Sequence, residues 1–558
     1  MRIHPRILLP AALALLAAPA PGSALPLNQD DVETVLAESA ELLKRVAPRY
    51  HLWAYSALAG ANDARAIEVL RKLYSKPGFP KKQTPFLIAS ALGRDGKVGD
   101  VLEELADWLT EADEPRDAWL WRNVLKIELD DWGPDRAADI ARNGKDITQR
   151  AAAIEALAAE KEEVLYTLIP ELCKELPKKD VEKTMLMGAM VTALAELGNK
   201  KTQVKDDWQK MALSLIATME DGKTPRAAQL MLARHLAVEL DAERLVLEPD
   251  AWRALIAAKS RAAKEKKLKK KKKEEGASVA TWPTFFGVEV TGDRVCYLID
   301  LSDSMAAPIP DSWKPSTAPV SGPSKRRKWK KGEVPTEADI PWYSVRTRFD
   351  LAREHLRISL LRMTEDQQFT VIGFGTQAEF LDGSKGMVKA THGNIKKVLK
   401  ALDAIELGQP TPDRKDGTLW GNTNLYDGLR LAFAATKKGA VDEDIYVNRE
   451  AMEYGADTIL LLSDGDPSMD NFTIRDFDYG DGKVFSDNET GKESLTRTSS
   501  LNYMGPYANW GGLIAEVQRL NMLREAQIQA ISVGDGDSQA LRVLASVGLG
   551  KLTELGKK

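Results

Sequence analysis

The apolar period of the chain changes once, across a lysine run, and this change limits the fold more than any other feature. From Asp30 to Ser260 apolar residues recur at spacings of three and four, as in Val32–Val46, Val164–Leu176 and Met185–Leu197. Alternation with a period of two is missing there, so the pattern predicts helices almost throughout. The run KEKKLKKKKKEEG follows at 264–276, and beyond about residue 283 short apolar runs alternate with amphipathic stretches. Strands are predicted at Arg294–Ile299, Gln368–Phe374, Gly386–Ala390, Asp457–Leu462 and Gln527–Val533. Helices are predicted at Arg348–Met363, Asn394–Ile405, Leu425–Thr436, Leu513–Ala526 and Gln539–Val547. Such alternation joins parallel strands by right-handed crossovers and covers both faces of the sheet. The expected fold class is multidomain: an all-α domain at 28–262, a Lys-rich linker at 263–282, and an α/β domain with a doubly wound, mostly parallel sheet at 283–556.

The first residues bear on the compartment. Arg2 and Arg6 precede the apolar stretch Ile7–Ala20, and the small residues Gly22, Ser23 and Ala24 follow. This is the pattern of a secretory signal, 1–24, cleaved after Ala24. The rival reading, an uncleaved anchor, meets a run that is short of spanning length and broken by Pro10. The expectation is a secreted or periplasmic protein with no transmembrane segment after cleavage. Cys173 and Cys296 fall in an apolar helix and an apolar strand, so two buried free thiols are expected rather than a bridge. With Lys+Arg 78 against Asp+Glu 82, net charge −4, a dedicated nucleic-acid binder is not expected.

Within the helical half, RAAAIEALAAE at 150–160, MGAMVTALAELG at 187–198 and PRAAQLMLARHLAV at 225–238 begin about 37 residues apart. Each small-residue helix pairs with a bulkier one. The period resembles HEAT-type helical repeats, whose hairpins stack on a shared core; an irregular helical array fits the same pattern. The lysine run reads as the solvated tail of the last helix, or as a contact for an anionic envelope polymer or lipid.

Chemistry is expected at the carboxyl ends of the strands, where open α/β sheets bind ligands. The first strand ends in Asp300-Leu301-Ser302-Asp303-Ser304, a D-x-S-x-S. Gly421-Asn422-Thr423-Asn424 enters the third helix of this half, and a later strand ends in Ser463-Asp464-Gly465-Asp466. Hydroxyls and carboxylates without sulfur or imidazole are the ligand set of a hard divalent cation. Read alone, each of these residues is an ordinary helix cap or turn former.

In this order the three motifs resemble a von Willebrand factor type A domain, a Rossmann-like fold, with a metal-ion-dependent adhesion site. FTVIGFGTQAEF at 369–380, NTNLYDGL at 422–429 and ISVGDGDSQALRVLA at 531–545 agree with its bacterial members. The resemblance implies that Ser302, Ser304 and Thr423 touch Mg²⁺ (or Mn²⁺ or Ca²⁺) directly, with Asp300 and Asp464 acting mainly through waters or as acceptors behind the direct ligands. It further implies that an Asp or Glu carboxylate of a protein partner completes the coordination. Asn422 and Asp303 depart from the pattern, each standing where glycine is common.

Two insertions, 306–346 and 467–511, leave carboxyl ends of strands. The first is basic and proline-rich, the second acidic. Trp313, Trp329, Trp342, Trp420 and Trp510 lie in them or beside Thr423, and a partner-binding rim is read from these aromatics. The alternative is that the two loops pack on each other. No G-x-S-x-G, H-E-x-x-H or phosphate-cradling Gly-rich loop occurs, so the chain is not expected to be an enzyme. A metal-dependent hydrolase would need Asp466 or Asp303 as its base. The expected function is metal-dependent adhesion; the alternative is a structural envelope scaffold in which the metal only stabilises loops.

Overall fold

The computed structural model describes residues 31–264 and 283–555, apart from 78–81, 97–100, 113–116, 199–205, 221, 223, 243–244, 317–320, 322–333, 408–420, 442–447, 477–483, 487–492, 496–500 and 535–536. The signal segment, nearly all of the lysine run, Trp329 and Trp420 lie outside the described residues. The described part consists of a helical N-terminal part followed by a mixed, mostly parallel sheet with helices.

The helical part holds thirteen described helices: α1 Val32–Leu42, α2 Pro48–Gly60, α3 Ala64–Ser75, α4 Thr84–Asp95, α5 Leu102–Glu111, α6 Ala118–Trp132, α7 Asp135–Asn143, α8 Ile147–Glu160, α9 Leu165–Leu172, α10 Asp180–Glu196, α11 Asp206–Thr218, α12 Arg226–Glu239 and α13 Pro249–Lys264. Packing runs between alternate helices. α2, α4, α6, α8, α10 and α12 form one continuous row, and α9, α11 and α13 form a second. The small-residue segments noted in the sequence are α8, α10 and α12, all in the first row. α8 and α10 are buried nearly all round, from Ala151 to Ala158 and from Thr184 to Val191. A helix enclosed on every side needs small residues to let its neighbours approach and has no polar face to show water.

The central sheet has strands β1 Arg294–Asp300, β2 Gln368–Phe374, β3 Ala378–Phe380, β4 Val388–Lys389, β5 Thr458–Ser463, β6 Gln527–Ser532 and β7 Leu552–Glu554. Their order is β7-β6-β5-β1-β2-β3, with β4 also on β2. The strands from β7 to β2 are parallel, and β3 and β4 are antiparallel to β2. The predicted strand Gly386–Ala390 is thus only the two-residue β4, at an edge where Gly386 and Lys389 gain little from pairing. Helices α14 Arg348–Arg362, α15 His392–Asp403, α16 Leu425–Ala434, α17 Arg449–Tyr454, α18 Trp510–Asn521 and α19 Ser538–Val547 complete this half.

Side chains alternate across the sheet, and each face has its own core. Val295, Tyr297, Ile299, Phe369, Val371, Leu460 and Leu462 pack with α14 and α15. Cys296, Leu298, Ile372, Phe374, Ile459 and Leu461 pack with α16, α18 and α19, and that core runs on into the helical part without a break. Burial on both faces explains why the strands read as continuous apolar runs. Both cysteines are free, Cys296 buried and Cys173 partly so.

The first helical row lies along the sheet half. Near the carboxyl ends of the strands, the Gln83 amide reaches the Tyr426 hydroxyl at 3.4 Å and the Arg519 guanidinium covers Phe86. Arg449 pairs with Asp146, and Thr192 donates to Glu525, two residues before β6. At the amino ends, buried Arg234 donates to the carbonyls of Asp457 and Thr291 and to the Thr458 hydroxyl. Gly188 is obligatory at this seam, since a Cβ there would stand 2.7 Å from the Leu523 carbonyl oxygen.

Candidate functional site

The sheet order reverses between β1 and β5: the chain first moves outward from β1 to β2, then to β5 and on to β7. A crevice opens outside the carboxyl ends of strands at such a point, where the two flanking loops turn apart. Asp300 ends β1 and Asp464 follows β5, so both border this crevice.

The D-x-S-x-S turn is built by its own side chains. Asp300 is fully buried; its Oδ1 accepts the Ser302 backbone N–H at 2.9 Å and its Oδ2 accepts the Ser463 hydroxyl at 2.7 Å. Residues 303–306 then form a short 3₁₀ turn that points Ser304 back over the strand end. The Ser302 and Ser304 hydroxyls lie 2.9 Å apart, and Ser304 donates to Asp464 Oδ1 at 2.7 Å. The other Asp464 oxygen accepts Arg348 Nη1 from the first turn of α14 at 2.7 Å. Burial, and then the neighbouring Asp464 carboxylate, push Asp300 up to about 6 against the hydrogen bonds from Ser302 and Ser463.

Thr423 enters from the start of α16. It is buried, and its backbone exchanges hydrogen bonds with Ser468, Thr423 N–H to Ser468 Oγ and Ser468 N–H to Thr423 O, each 2.9 Å. Asn424 caps α16 and ties it to β2 by a 2.7 Å bond to the Gly375 carbonyl. The Asp303 N–H reaches the Gly421 carbonyl at 3.2 Å, which closes the turn against the Thr423 loop.

Of the sequence-selected residues, Asp300, Ser302, Ser304 and Asp464 thus share one hydrogen-bonded chain, and Thr423 stands on the loop that closes over it. Trp510 donates its indole N–H to Asp466 Oδ1 at 3.0 Å, two residues beyond Asp464. Trp313 and Trp342 are half-buried against the core under α14. Three participants escaped the sequence reading. Ser463 is a strand-end hydroxyl and could have been suspected. Ser468 lies inside an insertion. Arg348 has no local signal, since it stands 44 residues after Ser304 and meets the site only through the fold.

The donor set suits a hard dication in chemistry and spacing. Oxygens on adjacent corners of a magnesium octahedron are about 2.9 Å apart, from bonds of about 2.0–2.1 Å. The Ser302 and Ser304 hydroxyls, 2.9 Å apart, could occupy two such corners, while the 2.7 Å contact of Ser304 with Asp464 is a hydrogen bond that holds the carboxylate behind them. Both lengths are also those of ordinary O–H···O bonds. Among the described residues no three His, Cys, Asp or Glu side chains form a metal-binding group, so an ion at this place would depend on the hydroxyls. Also among the described residues, no helix is long and apolar enough to cross a membrane. No protein-family profile matches the chain, and no curated protein matches it significantly.

Proposed function

We propose that the sheet half is a binding domain of the von Willebrand factor type A kind, which captures an acidic group of a protein partner through a divalent cation. One observation carries this reading: Ser302 Oγ, Ser304 Oγ and Asp464 Oδ1 line up at 2.9 and 2.7 Å in the crevice where the strand order reverses. Asp300, Ser302, Ser304, Thr423 and Asp464 would hold Mg²⁺, Mn²⁺ or Ca²⁺. When bound, the ion supplies a Lewis-acidic corner for a carboxylate. The residues of the chain do the positioning. Ser302 and Ser304 present neutral oxygens that leave the ion's charge largely unspent, and Ser463 with the Ser302 amide fixes Asp300. The two insertions, with Trp313, Trp329, Trp342, Trp420 and Trp510, supply a rim that selects the partner.

The doubly wound sheet is read as Rossmann-like, and the two-row helical part as HEAT-like. We read the protein as exported, secreted or periplasmic, with the lysine run as a contact for an anionic polymer or lipid. The test is a pull-down from the source envelope in Mg²⁺ and in EDTA, with wild type and with Ser302→Ala. Capture of a partner in Mg²⁺, its loss in EDTA and its loss in a folded Ser302→Ala are expected. Normal capture by Ser302→Ala would falsify the mechanism.

A second reading is favoured by the Arg348–Asp464 ion pair, which already satisfies one carboxylate from within the chain. In it the cluster is a structural knot of an envelope scaffold. A partner retained in EDTA supports that reading over capture.

A further inference from the structure

Two buried carboxylates border the crevice, and one guanidinium answers them. Asp300 and Asp464 are 0% and 3% exposed, and Arg348 Nη1 stands 2.7 Å from Asp464 Oδ2. The position of Arg348 is built from both sides. Thr347 and Asp350 form a complete capping box that starts α14, and the Arg348 backbone N–H donates to the Ala307 carbonyl at 3.0 Å. Pro308 bridges to Thr347, and Ile309 N–H donates to the Arg346 carbonyl, so the D-x-S-x-S loop and the helix start are zipped together. Opposite, Gly534 follows β6. A Cβ there would lie 2.8 Å from Arg348 Nη1 and 2.3 Å from the Asp464 carbonyl oxygen. The guanidinium therefore fills a slot that any other residue at 534 would narrow.

The charge count has a consequence for the proposed cation site. Of the four nearby carboxylates Asp303 and Asp466 are exposed and screened by solvent, so without Arg348 a dication would be matched in charge by the two buried ones. With Arg348 paired to the outer oxygen of Asp464, one negative charge is cancelled beforehand, and the buried cluster with its ion keeps an uncompensated positive charge. Between buried carboxylates such a difference is weakly screened.

Resting on the cation reading above, we propose that Arg348 is the specificity-determining residue of the site: its ion pair with Asp464 keeps divalent-cation binding weak until an anionic group from outside completes it. Cation and partner then bind cooperatively, each raising the affinity for the other.

The test is calorimetric titration of Mn²⁺ alone into the purified full chain as wild type, Arg348→Ala and Arg348→Lys, with melting curves in EDTA to verify folding. Arg348→Ala should bind Mn²⁺ about tenfold more tightly than wild type, or more. Arg348→Lys, which keeps the charge, should stay within about threefold of wild type. If wild type and folded Arg348→Ala bind Mn²⁺ equally, the role of Arg348 is overturned while the cation site stands. If none of the three binds Mn²⁺, the cation reading fails and this inference with it. Binding by Arg348→Ala alone would support the inference in its strongest form.

Discussion

His355, on α14, lies face to face with Phe286, ring centroids 3.9 Å apart and planes 19° from parallel. Burial depresses it from 6.5 to about 4. Glu337, half exposed and 3.9 Å from Nδ1, offsets little of this. Its folded pKa is lowered, so the folded state holds the neutral ring while the unfolded chain takes up a proton near 6.5. The stability linked to it is therefore fully present above about 6.5 and lost as pH falls toward 4, by roughly 3 kcal/mol in all. A His355→Phe variant should lose less melting temperature than wild type between pH 7 and 4; parallel losses would refute the argument. At this scale the sequence was partly legible. D-x-S-x-S and Ser-Asp-Gly are recognisable as polar turns at strand ends because their spacing is local, whereas Arg348 and Gly534 join the cluster through contacts that no local window contains.

Among the elements, the capping box Thr347/Asp350 forms in full, because both partners lie within one turn. The stripe Phe349, Ala352, Leu356, Leu360 and Met363 is buried as its spacing requires. The insertion after β5 was legible only as excess length. Its root is pinned by Asp470, whose carboxylate accepts the backbone N–H of Phe472 and of Tyr507, each at 2.7 Å. Gly505, at φ 100°, lies so close that a Cβ would meet the Asp470 carboxylate at 1.7 Å. Tyr507 then stacks on Tyr426 of α16, centroids 4.4 Å apart, which couples the insertion to the helix that follows Thr423. Asp470→Ala leaves two buried donors without an acceptor, at roughly 1–3 kcal/mol each. Faster hydrogen exchange at the Phe472 and Tyr507 amides and earlier proteolysis within 467–511 are expected. Unchanged exchange at both amides would show that the insertion is held by other contacts.

Across the whole molecule, the helical row and the sheet share one core, so the halves are expected to melt in a single transition. Arg234 is the most buried charge in the seam, 3% exposed, and its Nη groups make three hydrogen bonds into the sheet half. Asp457, 3.8 Å away, is its counter-charge. Arg234→Ala removes three hydrogen bonds and one of the two guanidiniums beside Asp457, which keeps Arg294 at 3.6 Å and the Thr458 hydroxyl at 3.0 Å, so a loss of about 1–3 kcal/mol is expected. Calorimetry should show a lower melting temperature and a transition that broadens or splits. A variant melting like wild type would mean the halves are stabilised independently.

What the sequence determined by itself was of short range: the change of apolar period, the main helices and the principal strands of the sheet, and the turns that end them. Ala378–Phe380, Arg449–Tyr454 and Leu552–Glu554 went unpredicted, and the helix expected at Leu425–Thr436 gives way to a strand at Ala435. Period, capping and turn chemistry act within a few residues, so they are written in a window of that size. Only the tertiary structure decided that the helical half lies against the sheet along its length, that α8 and α10 are small because they are enclosed, and that Arg348 stands beside Asp464. These depend on which surfaces meet, and a surface collects residues hundreds of positions apart.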